Sequence, residues 1–419
     1  MTEYRRPRGT QDILPNDENS WYHVENVFRK HCHKAGFGRI RTPTIESTNL
    51  FANAVGADTD IVDKEMYSFT DRGGDGLTLR PEGTAPVLRA FHENGMASLP
   101  QPTRLYYIER VFRYDRPQAG RYREHQQLGA ELLGEEDSGA DIEIISIIWN
   151  FLTELGIPDL TLNLNSIGDP KDKHRYQQAL MDYYSPYLNN LCVNCKRRLN
   201  ANPLRLLDCK TTECSPYKDE APKPIDYLSQ QALSHFEQLQ AGLHALSIPF
   251  VINHTLVRGL DYYTRTVFEI WPARTGSQST IAGGGRYDLL SDFITGDNVP
   301  GVGFGCGIER VLLNMPKLTP QRRPDVYVAS LSEATQLIAV RLVSELRSIG
   351  ANTVSGYKAA SPRSHLRKAN SQNARFAVII GDKEAESGTV TLRDLDSGEQ
   401  STVAISKIGG KILSLSTGK

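Results

Sequence analysis

The sequence predicts an α+β domain built on an antiparallel sheet, interrupted by a helical insertion and followed by a small α/β domain. Three observations carry that prediction. Residues 104–133 read as strand, arginine-rich loop, strand, which is a long antiparallel hairpin. Residues 170–245 are helical in pattern and hold four of the six cysteines. From residue 325 the pattern alternates β and α around RFAVIIG, a continuous apolar run of the kind a central strand carries. The expected divisions are 1–320 for the first domain, 170–245 for the insertion within it and 325–419 for the second domain.

A chain of 419 residues has room for two or three domains with buried cores. Its 23% charged and 39% hydrophobic residues are those of ordinary soluble proteins. The net charge of −1 excludes a global basic field, so any nucleic-acid surface must be local. No apolar run at the N-terminus suits a secretory signal. The most apolar run, IEIISIIWNFL at 142–152, is too short to cross a bilayer and carries Glu143, so it predicts a buried helix and no membrane association. Six cysteines without a signal predict a reducing cytoplasm rather than a disulfide scaffold.

The elements follow in order. After Pro15, NDENS supplies N-cap candidates, and Trp21, Val24, Val27, Phe28 and His31 recur at helical spacing up to Gly36. RIRTPTIE reads as a strand, and its Pro43 puts it at an edge or at a partner subunit. GDGLTLRPEGTAPVLRAF reads as turn, short strand and a helix after Pro86. On the strand RLYYIERVFRYD, Leu105, Tyr107, Glu109, Val111 and Arg113 share a face. RPQAGRYREH is the loop, and HQQLGAELLG returns with Gln127, Gly129 and Glu131 on one face. The hairpin therefore offers Arg113, Gln127 and Glu131 to one neighbourhood. A helix at 140–155 and the strand TLNLNS precede the insertion. The β pattern resumes at 249 and runs through LVRGLDYYTRTVFEIW to IAGGGRYD. VGFGCGIERVLLNM leads through glycines into a helix with Arg310 early in it, and KLTPQRRP at 317–324 reads as a linker. Beyond it come the strand DVYVAS, a helix ending at Gly350, the strand ANTVSGY, the basic helix SPRSHLRKANSQ, RFAVIIG, the hairpin TVTLRDLDSGEQSTVAI and a last helix.

There is no GxxxxGK[ST] phosphate loop and no GxGxxG opening a βαβ unit. A nucleotide would have to be held by side chains on a sheet, and the arginine fork suits phosphate and carboxylate oxygens. Arg113 ends a strand in FRYD, Arg121 and Arg123 lie in RYRE, Arg258 opens a β-prone stretch beside an aromatic pair, and Arg310 lies in GIER. FRYD with its loop and return strand resembles the second motif of class II aminoacyl-tRNA synthetases. GFGCGIER, from Gly303 to Arg310, resembles the third, G-x-G-x-x-x-x-[DE]-R, with one residue fewer before the acidic position. LVRGLDYYTRTVFE and AGGGRYD resemble the two signatures of the bacterial-type histidyl-tRNA synthetases. RGTQDILP at 8–15, TLRPEGTAPVLR at 78–89, GRYREHQQLGAE at 120–131 and NPLRLLDCK at 202–210 extend the resemblance over nearly the whole chain, in family order.

The resemblance implies a catalytic domain of the class II type that activates L-histidine with ATP to histidyl-adenylate and passes it to the 3′ end of tRNA(His). The histidine carboxylate must approach the α-phosphate, so fixed positive charge has to offset the repulsion of two anions. By resemblance, Arg113 and Arg258 are the catalytic cations on the α-phosphate and the carboxylate, and Arg310, Arg121 and Arg123 hold the outer phosphates, with Mg2+ accompanying the ATP. Glu82, Thr84 and Gln127 match the family's positions around the α-ammonium. Glu131 and Tyr263 match those on the imidazole, which needs an acceptor and a donor. Tyr287 is expected at the pocket edge. Tyr262 is a further histidine-binding candidate, although alternation along a strand would send one of the two adjacent tyrosines to packing. Gly129 is expected to leave room for the substrate, and Gly283, Gly284 and Gly285 to let a backbone approach closely. Without the resemblance, Glu82 and Glu131 would read as surface carboxylates.

Cys192, Cys195, Cys209 and Cys214 form C-x2-C-x13-C-x4-C, a spacing that admits a tetrahedral zinc site and equally four reduced thiols. Many members of the family lack a metal here, so the chemistry does not require zinc. Arg363, Arg367, Lys368 and Arg375 on and near the basic helix read either as a solvated face or as part of the anticodon-binding surface that the resemblance assigns to residues 325–419. Pro43 sits where the class builds its dimer interface, so a homodimer is expected. Two rivals remain: a synthetase-like regulatory subunit of histidine biosynthesis, and a synthetase for another amino acid. The first typically lacks the catalytic arginines and the C-terminal domain, and the second would need other residues in LVRGLDYY and at Glu131.

Overall fold

The computed structural model describes residues 4–55, 61–258, 262–273, 280–318 and 323–416. The chain divides into two compact units, Met1–Leu318 and Thr319–Lys419. Half of the expected linker, residues 319–322, lies outside the described residues.

The strands of the first unit are β1 (Gly38–Arg39), β2 (Ile45–Ser47), β3 (Tyr67–Thr70), β4 (Gly76–Leu79), β5 (Thr103–Phe112), β6 (Glu124–Leu133), β7 (Thr161–Ser166), β8 (Phe250–Ile252), β9 (Thr264–Trp271), β10 (Ala282–Arg286) and β11 (Gly301–Gly307). Eight of them form one sheet in the order β1-β5-β6-β11-β10-β9-β7-β8. The predicted hairpin is its largest pairing, running from Thr103 opposite Leu133 to Phe112 opposite Glu124. The interior is antiparallel. The two edge pairs, β1 with β5 and β7 with β8, are parallel. Long connections separate the members of each edge pair, which parallel pairing requires.

The helices are α1 (Pro15–Lys34), α2 (Thr48–Val55), α3 (Thr84–Glu93), α4 (Ser138–Glu154), α5 (Pro170–Tyr184), α6 (Val193–Ala201), α7 (Gln230–Ala245), α8 (Leu290–Thr295) and α9 (Ile308–Asn314). The main core is formed where Phe28 of α1, Phe151 of α4 and Phe236 of α7 meet Tyr106, Leu128 and Phe304 of the sheet. The apolar run at 142–152 is the buried part of α4, as predicted. Strand alternation then gives Tyr107, Gln127, Gly129, Glu131, Gly303 and Gly305 to the opposite face. That face carries the cavity.

The structure departs from the sequence reading at several points. Helix α1 starts at Pro15, whose missing N–H costs nothing in a first turn, so NDENS lies inside the helix and Leu14 is the N-cap. RIRTPTIE is not one strand: Pro43 separates β1 from β2, which pairs with β4 in a separate sheet ordered β2-β4-β3. Helix α3 begins at Thr84, which puts Pro86 inside its first turn. Tyr262 and Tyr263 precede β9 instead of alternating along it. The helical stretch 170–245 divides in two. Tyr176, Leu180 and Leu199 of α5 and α6 enclose a small core with Cys195, Cys209 and Cys214. Helix α7 instead joins the main core through Phe236 and Leu239.

The second unit holds β12 (Val326–Ser330), β13 (Thr353–Ser355), β14 (Phe376–Ile380), β15 (Thr389–Asp394) and β16 (Gln400–Ala404), in the order β13-β12-β14-β15-β16. The RFAVIIG strand is central, as its uninterrupted apolar run predicts. Helices α10 (Gln336–Ser348), α11 (Pro362–Ser371), α12 (Asp382–Ser387) and α13 (Ile405–Ser416) complete it, of which α12 was not anticipated. On α11, Arg363, Arg367 and Lys368 are exposed. His365 is buried, its ring nitrogens 3.0 Å from Tyr327 Oη and 2.9 Å from the Ser330 carbonyl. Arg375 is committed internally: it donates to the Leu415 carbonyl at 2.7 Å and lies over the Phe376 ring.

Candidate active site

A cavity of about 610 Å³ opens on the sheet face opposite the main core. Its floor is rich in glycine, and side chains explain why. A Cβ on Gly303 would stand 1.7 Å from Glu131 Oε2, one on Gly305 2.2 Å from Gln127 Nε2, and one on Gly283 2.6 Å from Arg258 Nη1. Each missing side chain is the space that a neighbouring polar group occupies. Gly129 serves differently from the expectation. Its Cβ would lie 2.1 Å from Tyr107 Cζ, so it admits the Tyr107 ring rather than a substrate. Gly284 does fit the expected close approach, since a Cβ there would stand 2.0 Å from the Gly303 carbonyl oxygen.

Most of the arginines named from the sequence converge on this cavity. Arg113, just past the end of β5, donates from Nε to the Pro81 carbonyl at 2.7 Å. Arg121 pairs with Asp115, with Glu65 3.9 Å away. Arg310, in the first turn of α9, donates to the carbonyls of Thr280 at 2.5 Å and Gly120 at 3.2 Å. All three line the cavity. Burial lowers the pKa of Arg310, and repulsion from Arg121 and Arg113 lowers it further. Burial lowers Arg121 likewise. These guanidiniums crowd one another, and an anion placed among them relieves that repulsion.

Arg258 lines the same cavity and pairs with Glu269 of β9. Burial works against its charge, but Glu269 and then Tyr263 outweigh that and hold its pKa above the ordinary value. Its Nε is buried without a hydrogen-bond partner. Arg123 is not brought in: it stacks 3.8 Å over the Tyr114 ring and donates to the Asp115 carbonyl.

The candidates for histidine gather around Glu131, near the C-terminal end of β6. Its Oε1 accepts from Thr84 Oγ1 at 2.9 Å, and its Oε2 accepts from Tyr287 Oη. Desolvation pushes its pKa up to about 8, against the lowering effect of those bonds. Glu131 is 1% exposed and lies beneath the cavity floor, whereas Thr84 and Tyr287 line the cavity itself. Glu82 accepts from the backbone N–H groups of Thr84 and Ala85, which tethers it to the start of α3, where the helix dipole favours an anion. Burial nonetheless raises its pKa. Gln127 faces the cavity with Oε1 buried and unpaired. Tyr262 and Tyr263 both line the cavity, their ring centroids 4.8 Å apart, and both also pack in the buried cluster that includes Phe51, Leu88 and Leu290.

Three parts of this site went unread in the sequence. Glu269, the partner of Arg258, was legible as the one charged residue in VFEIW. His125 falls within the motif GRYREHQQLGAE but drew no role there; it lines the cavity, and burial followed by Arg113 and Arg310 presses its pKa to about 3, so it is neutral. Leu207, Asp208 and Lys210 of the insertion also line the cavity, a contact that only the tertiary fold reveals. The carboxylates of Asp115, Glu269 and Glu309 on the cavity wall are oxygen donors of the class that Mg2+ takes. Apart from the site, the Sγ atoms of Cys192, Cys195, Cys209 and Cys214 lie within 4.8 Å of one another.

The family model described as histidyl-tRNA synthetase matches residues 9–168 and 210–311, and one described as an anticodon binding domain matches 325–415. A histidine–tRNA ligase of Dehalococcoides mccartyi is 46% identical over 409 residues, covering 97% of this chain and 98% of the relative. One of Desulforudis audaxviator is 47% identical over 408 residues, covering 96% and 97%. The crystal structure of apo S. aureus histidyl-tRNA synthetase superposes with a TM-score of 0.83 at 32% identity, covering 98% of this chain and 100% of that one. Likeness at that identity along the full length of both proteins is likeness of the whole architecture, and the chain belongs to the histidyl-tRNA synthetase family.

Proposed function

We infer that this chain ligates L-histidine to tRNA(His). The histidine carboxylate attacks the α-phosphate of ATP, forming histidyl-adenylate and releasing pyrophosphate. A hydroxyl of the tRNA's terminal ribose then attacks the acyl carbon, and AMP leaves. The observation that carries the reading is the crowding of Arg113, Arg121 and Arg310 on one cavity whose wall also carries Arg258.

In this reading Arg258 and Arg113 face the α-phosphate and the carboxylate, where charge develops in the transition state. Arg310 and Arg121 take the outer phosphates. Mg2+ arriving with ATP shares their charge. Arg123 holds the loop through Tyr114 and assists indirectly. Gln127 Oε1 and the Glu82 carboxylate accept from the α-ammonium. The lattice of Glu131, Thr84 and Tyr287, with Tyr263, presents the donor and acceptor that neutral imidazole needs. A site built on such pairs rejects an analogue that leaves them unpaired, by up to about 10⁴-fold.

The second unit, expected at residues 325–419, takes the anticodon, and exposed Arg363, Arg367 and Lys368 on α11 support contact with its phosphates. The working form is a homodimer, supported by exposed Ile45 of β2 and Phe69 of β3 on the small sheet next to Pro43. A cytoplasmic setting is supported by six free cysteines and by the lack, among the described residues, of a helix long and apolar enough to cross a membrane. ATP–pyrophosphate exchange with each amino acid in turn tests the reading. Exchange that depends on histidine alone is expected; no exchange, or exchange driven by another amino acid, would overturn it.

A further inference from the structure

We propose that Cys192, Cys195, Cys209 and Cys214 bind one Zn2+, and that this metal fixes the wall which the insertion lends to the active-site cavity. The four thiols come from two separate stretches of chain. Cys192 is the N-cap of α6 and Cys195 lies in its first turn. Cys209 and Cys214 belong to a segment of turns after the 3-10 helix Pro203–Leu206. Their Sγ atoms nevertheless all lie within 4.8 Å of one another, and Cys192 and Cys209 stand 3.9 Å apart. Four sulfurs at the Zn–S distance of about 2.3 Å from one centre are about 3.8 Å from each other. The thiols therefore occupy nearly the corners that a tetrahedral ion requires. All six cysteines of the chain are free, so no disulfide explains the gathering.

The groups around the sulfurs suit metal-bound thiolates. The Cys192 backbone N–H donates to Cys214 Sγ at 3.3 Å, and Thr211 Oγ1 lies 3.3 Å from Cys209 Sγ. Outer contacts of this kind orient ligands and stabilise negative sulfur. Cys195, Cys209 and Cys214 are buried, which limits access to water and oxidants. The match to the family model skips residues 169–209, which hold three of the four ligands.

The consequence reaches the active site through Cys209. Its neighbours on both sides, Asp208 and Lys210, line the cavity, as do Leu207 and Lys218. The stretch from Leu207 to Cys214 contains no helix or strand, and its backbone bonds are local turns, such as Cys209 N–H to the Leu206 carbonyl at 3.2 Å and Cys214 N–H to the Thr211 carbonyl at 3.0 Å. The small apolar cluster of α5 and α6 is one support, and a metal binding both stretches is the other. Folding free energy drawn from such a site fixes loops that a small core cannot.

The metal is read independently of the reaction. Protein purified without added metal should contain one zinc per chain by mass spectrometry of the elements, and titrating its thiols with a mercurial should release that zinc to a chromogenic chelator. Cys192→Ser and Cys214→Ser should each hold less than about a tenth of an equivalent, while Cys32→Ser, altered in the main core, keeps its metal. Wild-type enzyme stripped by a chelator should keep its far-ultraviolet circular dichroism, lose about tenfold or more in ATP–pyrophosphate exchange, and recover when zinc is returned; a wall displaced by about 1 Å is enough for such a loss. Wild-type protein without zinc, disulfides among the four cysteines, or zinc retained in both serine variants would overturn the metal site. Exchange unchanged by stripping would overturn its hold on the wall.

Discussion

Arg258 donates to Glu269 across the cavity wall, and the pair is set so that the arginine's Nε remains unpaired. Glu269 is itself held by Trp271 Nε1 at 2.8 Å and Thr280 Oγ1 at 2.6 Å. The carboxylate is thus fixed from three sides and holds the guanidinium in one orientation. Glu269→Ala leaves a largely buried cation without its partner. Removing one member of a buried pair costs roughly 3–5 kcal/mol, and the partial exposure here puts the expected loss near the low end. Urea unfolding should show that drop, with exchange activity falling as well. A variant as stable and active as wild type would mean that the pair does not orient Arg258.

The Glu131 carboxyl predicts a dependence of stability on pH. Its folded-state pKa is raised from 4.5 to about 8 by burial. Between those values the folded chain holds a proton that the unfolded chain has released. Its contribution is therefore fully present below pH 4.5 and is lost as pH rises through about 8. Glu131→Gln mimics the neutral form and removes that slope. Unfolding midpoints measured at the two ends of the window should converge in the variant relative to wild type; equal slopes in both proteins would contradict the assignment.

On the second unit, Arg363, Arg367 and Lys368 are exposed, whereas Arg375 is engaged with Leu415 and Phe376. Arg363→Gln with Arg367→Gln should weaken tRNA binding and reduce the slope of log affinity against log salt by about 2, one for each phosphate that the variant no longer neutralises. ATP–pyrophosphate exchange should not change, since it does not require tRNA. A salt slope equal to that of wild type would assign the anticodon to another face of the unit.

The hairpin of β5 and β6 was legible because alternation over ten-residue strands leaves one consistent set of faces. Alternation alone put Arg113, Gln127 and Glu131 in one neighbourhood. The small sheet was not legible. Its strands have three or four residues, too few for a periodic signal, and Pro43 hides the break between two sheets. Arg121 and Arg123 look alike in RYRE, and only the placement of Asp115 and Tyr114 turns one toward the cavity and the other away. Alternation misled at the adjacent tyrosines because the strand begins at Thr264, after them. The cysteine spacing admitted a metal from the start, but the approach of the two pairs is a tertiary fact.

The central claim is that the guanidinium of Arg258 offsets the repulsion between two anions as they join. Arg258→Ala, assayed by ATP–pyrophosphate exchange alongside calorimetric binding of histidine, tests it most directly. The rate should fall about 10²–10³-fold, the loss of one preorganised donor to a developing charge, while histidine affinity changes only severalfold. Exchange within about tenfold of wild type, or loss of histidine binding equal to the loss of rate, would contradict it.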